Sequence, residues 1–302
     1  MPLHQQSQLF ISQLAAQKRP AWQDQPIDQS RKLFDSLKGL FGVGPELVTV
    51  DDKLADGIPV RVYRPSLEPE LPVVMYFHGG GWVLGNLDTH DAVCRRLAAE
   101  SGFVVIAVDY RLAPEHRYPA AVDDCFLATK AVAENASEFR VDGQQIMLAG
   151  DSAGGNLCMA VSLRAREEGG PAICFQTMIY PVVEPDFDTD SYNAFATGHG
   201  LTRETMQWFW RQYLDGSDAA PTLAHFQDAT LEGLPATHVM TAEYDVLRDE
   251  GKGLADRLTA VGVPTTYRCY EGMLHGFVHF AGFFDDGVKA TEDVARLLQE
   301  QA

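Results

Sequence analysis

At 302 residues, 46% hydrophobic and 22% charged, the chain is long enough to bury roughly three quarters of its unfolded surface and to enclose a water-poor site. Its 24 basic and 42 acidic residues give a net charge of −18, which repels phosphate backbones and anionic membranes and excludes nucleic acid as an expected partner. No apolar run approaches bilayer length, and Leu9 to Ala16 is interrupted by Ser12 and Gln13, so the expectation is a cytoplasmic chain without stable membrane association.

In chain order, residues 5–41 place Leu9, Phe10 and Leu14, then Leu33, Phe34, Leu37, Leu40 and Phe41, at helical intervals around Pro20 and Pro26. Two helices are predicted before any strand. From residue 46 the pattern changes to short β-rich runs. ELVTVDD and IPVRVYR flank Asp56-Gly57 and predict an antiparallel hairpin. PVVMYFH, FVVIAVD, IMLAG, CFQTMIY, THVMTAE and TTYRCY follow, most of them separated by amphipathic stretches long enough for crossover helices. The expected class is α/β, with an eight-stranded, mostly parallel sheet covered by helices on both faces. Residues 183–225 break the rhythm with a polar, aromatic-rich insertion and a predicted helix over Thr202 to Leu214. The expected division is N-terminal cap helices at 1–45, a core at 46–182 and 226–302, and a cap insertion at 183–225.

Gly150-Asp151-Ser152-Ala153-Gly154-Gly155-Asn156 follows the apolar run IMLA and precedes a helical stretch from Leu157 to Arg166. A nucleophile elbow needs this strand, sharp turn and helix, because the strained serine admits only very small residues two positions to either side. Gly150 and Gly154 fill those places. His78-Gly79-Gly80-Gly81-Trp82 directly follows the strand PVVMYF, and its glycines leave backbone amides uncovered for an oxyanion. Gly79 and Gly80 are the expected donors, with Ala153, the residue after the nucleophile, as the third. The segment lacks the Lys and Ser/Thr of a phosphate-binding loop.

HGGGW at 78–82, DYRLAPEHRYPAA at 109–121, GDSAGGN at 150–156, AEYDVLRDEG at 242–251 and LHGF at 274–277 together resemble the bacterial hormone-sensitive-lipase-like family of esterases. The resemblance implies an eight-stranded α/β-hydrolase core, a helical cap, no cofactor and no metal, and hydrolysis of small-molecule esters with short to medium acyl chains.

A triad in such a fold runs serine, acid, histidine along the chain, so the base follows residue 152: His199, His225, His238, His275 and His279 remain. His275 lies in the Gly-flanked stretch Gly272-Met273-Leu274-His275-Gly276 after the last strand, where it can reach the elbow, whereas His238 opens an apolar strand and His199 and His225 lie in the insertion. His279 is expected to be a packing or surface residue. For the acid, Asp245 is the first carboxylate after THVMTAE, and the family places its acid there too. Glu243 stays open as an alternative, and Asp249 and Glu250 fit the first turn of the following helix.

Asp109 and Arg111 are expected to satisfy buried loop backbone or each other, with Pro119 starting the next helix. Asp151 is open between a structural role and electrostatic tuning of the elbow. Trp82, Phe34, Trp208, Phe209, Trp210 and Tyr180 are candidates for lining the substrate pocket, with Trp82 best placed because it follows the oxyanion glycines. The five cysteines, at 94, 125, 158, 174 and 269, show no close pair and are expected to be reduced. The expected activity is that of a serine carboxylesterase, monomeric or homodimeric. An amidase, deacetylase or lactonase on the same scaffold is the enzymatic rival. A non-catalytic receptor is disfavoured because His275 is present.

Overall fold

The computed structural model describes residues 2–214 and 223–302, so residues 215–222 of the insertion lie outside the described residues. Residues 5–41 form α1 (Gln5–Gln17), α2 (Ile27–Asp35) and α3 (Lys38–Phe41), joined by a 3₁₀ turn at Trp22–Asp24. The second predicted helix is divided in two. The Ser36 hydroxyl and N–H both bond back to the Leu33 carbonyl, at 2.6 and 3.1 Å, and close α2 one turn before α3 begins.

The hairpin β1 (Thr49–Ala55) and β2 (Ile58–Arg64) opens the sheet, followed by β3 (Leu71–Phe77), α4 (Asp91–Ser101) and β4 (Val104–Val108). Next come α5 (Ala120–Glu134), α6 (Ala136–Phe139), β5 (Val141–Asp151), α7 (Ala153–Glu168) and β6 (Ile173–Ile179). The insertion contributes α8 (Asp190–Ala194) and α9 (Arg203–Tyr213). The chain ends with β7 (Ala236–Tyr244), α10 (Arg248–Ala260), β8 (Thr265–Leu274) and α11 (Asp285–Gln299). The eight strands lie in the order β1-β2-β4-β3-β5-β6-β7-β8, antiparallel at β1/β2 and β2/β4 and parallel elsewhere.

Every residue of β4 and the last five of β3 are buried, as a parallel strand covered on both faces requires. Alternate residues feed two separate cores. Val73, Met75 and Phe77 join Val122, Leu157 and Leu254 from α5, α7 and α10, whereas Val74 and Tyr76 join Leu97 and Val294 from α4 and α11. Phe10 of α1 belongs to this second core, its ring 5.2–5.3 Å from those of Phe280, Phe283 and Phe284.

Arg111 does not pair with Asp109. Its guanidinium and backbone N–H go to Asp124 of α5, at 2.8 and 2.9 Å, tying the loop after β4 to the helix it leads into. Cys94, Cys125 and Cys158 are buried, Cys174 and Cys269 half-buried, and all five are free thiols. Among the described residues no helix is long and apolar enough to cross a membrane.

The topology brings four segments together. His78 follows the end of β3, Ser152 that of β5, Asp245 that of β7 and His275 that of β8. All lie at the carboxyl edge of the parallel sheet, where open α/β sheets place their ligands.

Candidate active site

Ser152 occupies the single residue between β5 and α7 with φ 56° and ψ −118°, a conformation that costs an L-residue free energy unless its surroundings impose it. They do so here. The Ser152 N–H donates to Ile179 O at 2.8 Å, and the Ser152 carbonyl accepts from Val182 N–H at 3.2 Å. Gly154 lets the first turn of α7 lie against the end of β3: a Cβ there would sit 1.8 Å from Phe77 O.

His275 Nε2 lies 3.0 Å from Ser152 Oγ, and its Nδ1 lies 2.7 Å from Asp245 Oδ2. Asp245 is buried, and its other oxygen accepts Leu247 N–H at 3.0 Å, so the carboxylate cannot swing away. A carboxylate at Nδ1 keeps that nitrogen protonated and leaves Nε2 as the acceptor facing the serine hydroxyl. Of the five histidines downstream of Ser152, His275 is the one brought within hydrogen-bond reach of it. Glu243 is directed elsewhere: its carboxylate accepts Gly272 N–H at 2.6 Å and anchors the end of β8. Asp249 accepts Ser191 N–H at 2.7 Å, and Glu250 accepts Val183 N–H at 2.8 Å. Burial pushes the Glu250 carboxyl well above its usual range.

The oxyanion loop differs from expectation at one glycine. The Gly79 N–H is already committed, donating to Asp151 Oδ1 at 3.0 Å. Among the described residues, the N–H groups of Gly80, Gly81 and Ala153 find no acceptor. Gly81 takes its place beside Gly80, with φ +61° and the Phe209 ring so close that a Cβ would meet it at 2.2 Å. The available signal was Asp151 itself, an acid beside the elbow that captures an amide of the adjoining loop.

Two aromatic assignments are also corrected. Trp82 has no exposed surface; its ring stacks on Tyr213 at 4.1 Å and meets Trp210 at 4.9 Å, pinning the oxyanion loop to α9 and leaving no face for a substrate. Tyr180, equally buried, packs its ring 4.6 Å from that of His275, so it supports the imidazole rather than a ligand. Phe34 packs against His279 and Phe41. Phe209 is 5% exposed against Gly81, with Trp208 beside it at 5.0 Å.

Burial keeps several histidines neutral. Desolvation and the neighbouring His90 lower the His78 imidazole to about 3, burial with Arg268 nearby lowers His238 to about 4, and burial with His90 nearby lowers His279 well below its ordinary value. Each folded-state value lies below the unfolded value of about 6.5, so the unfolded chain binds more protons and stability falls as pH drops through that window. Glu250, with its raised value, opposes the slope. The histidines outnumber this one opposing carboxyl, so unfolding free energy is expected to fall as pH drops from about 6.5 to about 5. Urea titrations at half-unit intervals would measure it, and a flat profile would contradict the neutral assignments.

A serine on a strand-to-helix elbow, bonded to a histidine and aspartate from later strand ends of a mostly parallel sheet, defines the α/β-hydrolase class. The alpha/beta hydrolase fold family matches residues 74–279, and the chain belongs to its hormone-sensitive-lipase-like branch. The carboxylesterase NlhH of Mycobacterium tuberculosis is 44% identical over 246 residues, covering 80% of this chain and 77% of that protein. Esterase LipI of the same organism is 40% identical over 258 residues, covering 82% and 81%. Among solved structures, the ester-hydrolase EH1AB1 from the metagenome of Lake Arreo superposes with a TM-score of 0.94 at 36% identity, covering 99% of this chain and 98% of that one. The hyperthermophilic esterase of Pyrobaculum calidifontis gives 0.92 at 39% identity, with 99% of each chain covered.

Proposed function

We propose that this carboxylic-ester hydrolase cleaves small esters of short to medium acyl chain through a Ser152–His275–Asp245 triad and an acyl-enzyme. His275 Nε2 takes the Ser152 proton as Oγ adds to the ester carbonyl. The resulting oxyanion accepts the N–H groups of Gly80, Gly81 and Ala153, donors that act fully only once the charge has formed. The alcohol leaves with the proton from His275. Water then gives a proton to His275 as its oxygen adds to the acyl carbon, and the acid departs as Ser152 recovers its proton. Asp245 holds the imidazole tautomer and stabilises the imidazolium formed in each half. The route uses side chains and backbone amides and requires no cofactor.

The observation that carries this reading is the unbroken hydrogen-bonded line from Ser152 Oγ through His275 to Asp245, at 3.0 and 2.7 Å. Acyl length is proposed to be limited by a cap made of α2, α3 and the 183–225 insertion. Phe209 and Trp208 would close the acyl side, and α1 would belong to the core with Phe10. Each methylene buried against such a wall contributes about 0.8 kcal/mol until the chain reaches it, after which length costs packing.

Kinetics with p-nitrophenyl esters of graded length test the proposal. The expected kcat/KM rises from acetate towards butyrate or hexanoate and falls well before palmitate. A maximum at palmitate would overturn the enclosed pocket, and no hydrolysis at any length would overturn the activity.

A further inference from the structure

Directly behind the elbow, three imidazoles enclose one carboxylate. Asp151, the residue before Ser152, is buried, and its Oδ1 accepts the Tyr76 hydroxyl at 2.8 Å and Gly79 N–H at 3.0 Å. His90 Nε2 lies 3.4 Å from the same oxygen. The His90 ring packs against His279 with centroids 4.0 Å apart and planes tilted by 31°, and the His78 ring lies 5.3 Å from His90. Nothing in the proposed chemistry uses His90 or His279.

Hydrogen bonds orient the His90 ring. The Thr89 hydroxyl oxygen accepts Asn86 N–H at 2.9 Å and lies 2.9 Å from both Asn86 O and His90 Nδ1, which fixes the imidazole from that side. Nε2 then faces Asp151. A bare lone pair there would repel the carboxylate and leave a buried charge held by two neutral donors alone, a costly arrangement. A proton on Nε2 removes that repulsion and sets an N–H against the Asp151 carboxylate, 3.4 Å away. Burial pushes the Asp151 carboxyl up, but the contact with His90 and the Tyr76 hydroxyl bond hold it below the usual carboxylate range.

A metal site fits less well. Ligand atoms of His90, Asp151 and His279 lie within 4.8 Å of one another, but the two rings pack against each other with planes 31° apart. Two rings packed face against face are poorly set to direct both lone pairs at one ion.

We infer that His90 is a positioning residue: paired with Asp151, it holds the Gly79 N–H against the elbow and so sets Gly80 and Gly81 at the height of the carbonyl attacked by Ser152. Asp151 is the link, because it adjoins the nucleophile in the chain and grips the oxyanion loop through its carboxylate. The inference rests on the triad reading above. Oxyanion donors act on charge present only in the transition state, so their misplacement lowers kcat and leaves KM nearly unchanged.

The test compares wild type, Ser152→Ala, His90→Phe, His90→Gln, Asp151→Asn and the double variant His90→Phe/Asp151→Asn. Each is assayed for kcat and KM on p-nitrophenyl butyrate and for inhibition by a trifluoromethyl ketone, whose serine adduct carries an oxyanion. Phe keeps a ring against His279 and removes both ring nitrogens, while Gln restores one donor. His90→Phe is expected to lower kcat roughly 10- to 100-fold with KM within about threefold, and to weaken the ketone by a similar factor. His90→Gln should recover part of the loss, and the double variant should be no slower than Asp151→Asn alone. A kcat within about twofold of wild type for His90→Phe, a loss expressed in KM, or single losses that multiply in the double variant would each overturn the inference. If His90→Phe fails to fold, unchanged kcat in the near-isosteric Asp151→Asn overturns it by itself. An inactive wild type, or an active Ser152→Ala, would instead defeat the triad reading and this inference with it.

Discussion

Ser152→Ala and His275→Ala are each expected to fold like the parent and to lose turnover of p-nitrophenyl butyrate by at least about 10⁴-fold, with the double variant no worse than either single one. The reason is geometric. Among the described residues, Ser152 Oγ hydrogen-bonds His275 Nε2 at 3.0 Å, so removing either group disables the same proton transfer. The fold should survive because the strained elbow is held by backbone bonds to Ile179 and Val182 that neither substitution touches. Steady-state kinetics beside thermal melts would check this. A purified, folded variant retaining a tenth of wild-type activity would contradict it.

Gly154→Ala should be among the most destabilising single substitutions in the chain. Its new Cβ would lie 1.8 Å from the Phe77 carbonyl oxygen, so β3 and the first turn of α7 must separate. Overpacking a side chain typically costs 1–3 kcal/mol, and a clash between two backbone segments at the centre of the sheet should cost at least about 3 kcal/mol. It should also move Ser152 away from His275 and remove activity. Gly253→Ala is the internal control: it lies within α10 with nothing within 4 Å of the added Cβ, and should stabilise by up to about 1 kcal/mol. Urea unfolding of the pair gives the contrast, and a Gly154→Ala protein of near wild-type stability would overturn the packing at the elbow.

What the sequence made legible were features that depend on neighbouring residues. The buried strands appeared as short apolar runs, the hairpin as Asp56-Gly57, and the elbow as small residues spaced around Ser152. Chain order then singled out His275. Asp245 is first after its strand, whereas Glu243 is set aside by the structure, where its carboxylate sits on the Gly272 N–H. Features that depend on contacts between distant segments were not legible. Asp151 occupies the Gly79 amide across the β3/β5 pair, and Trp82 turns from the site to stack on Tyr213 of the insertion. His90 and His279 come from opposite ends of the core and meet ring to ring. No local periodicity records such meetings. They also account for the differences at Gly79, Trp82 and Tyr180, whose partners lie far away along the chain.

The central claim is that Ser152 is the nucleophile of ester hydrolysis, and covalent trapping tests it most directly. Wild-type enzyme would be incubated with a diethyl p-nitrophenyl phosphate, which phosphorylates an activated serine as p-nitrophenolate leaves. Intact mass, peptide mapping and residual activity would be followed together. One diethylphosphoryl group per chain, on Ser152, is expected to appear in step with the loss of activity, and Ser152→Ala should take up none. Full inactivation with the adduct on another residue, or full activity in a chain labelled at Ser152, would contradict the account.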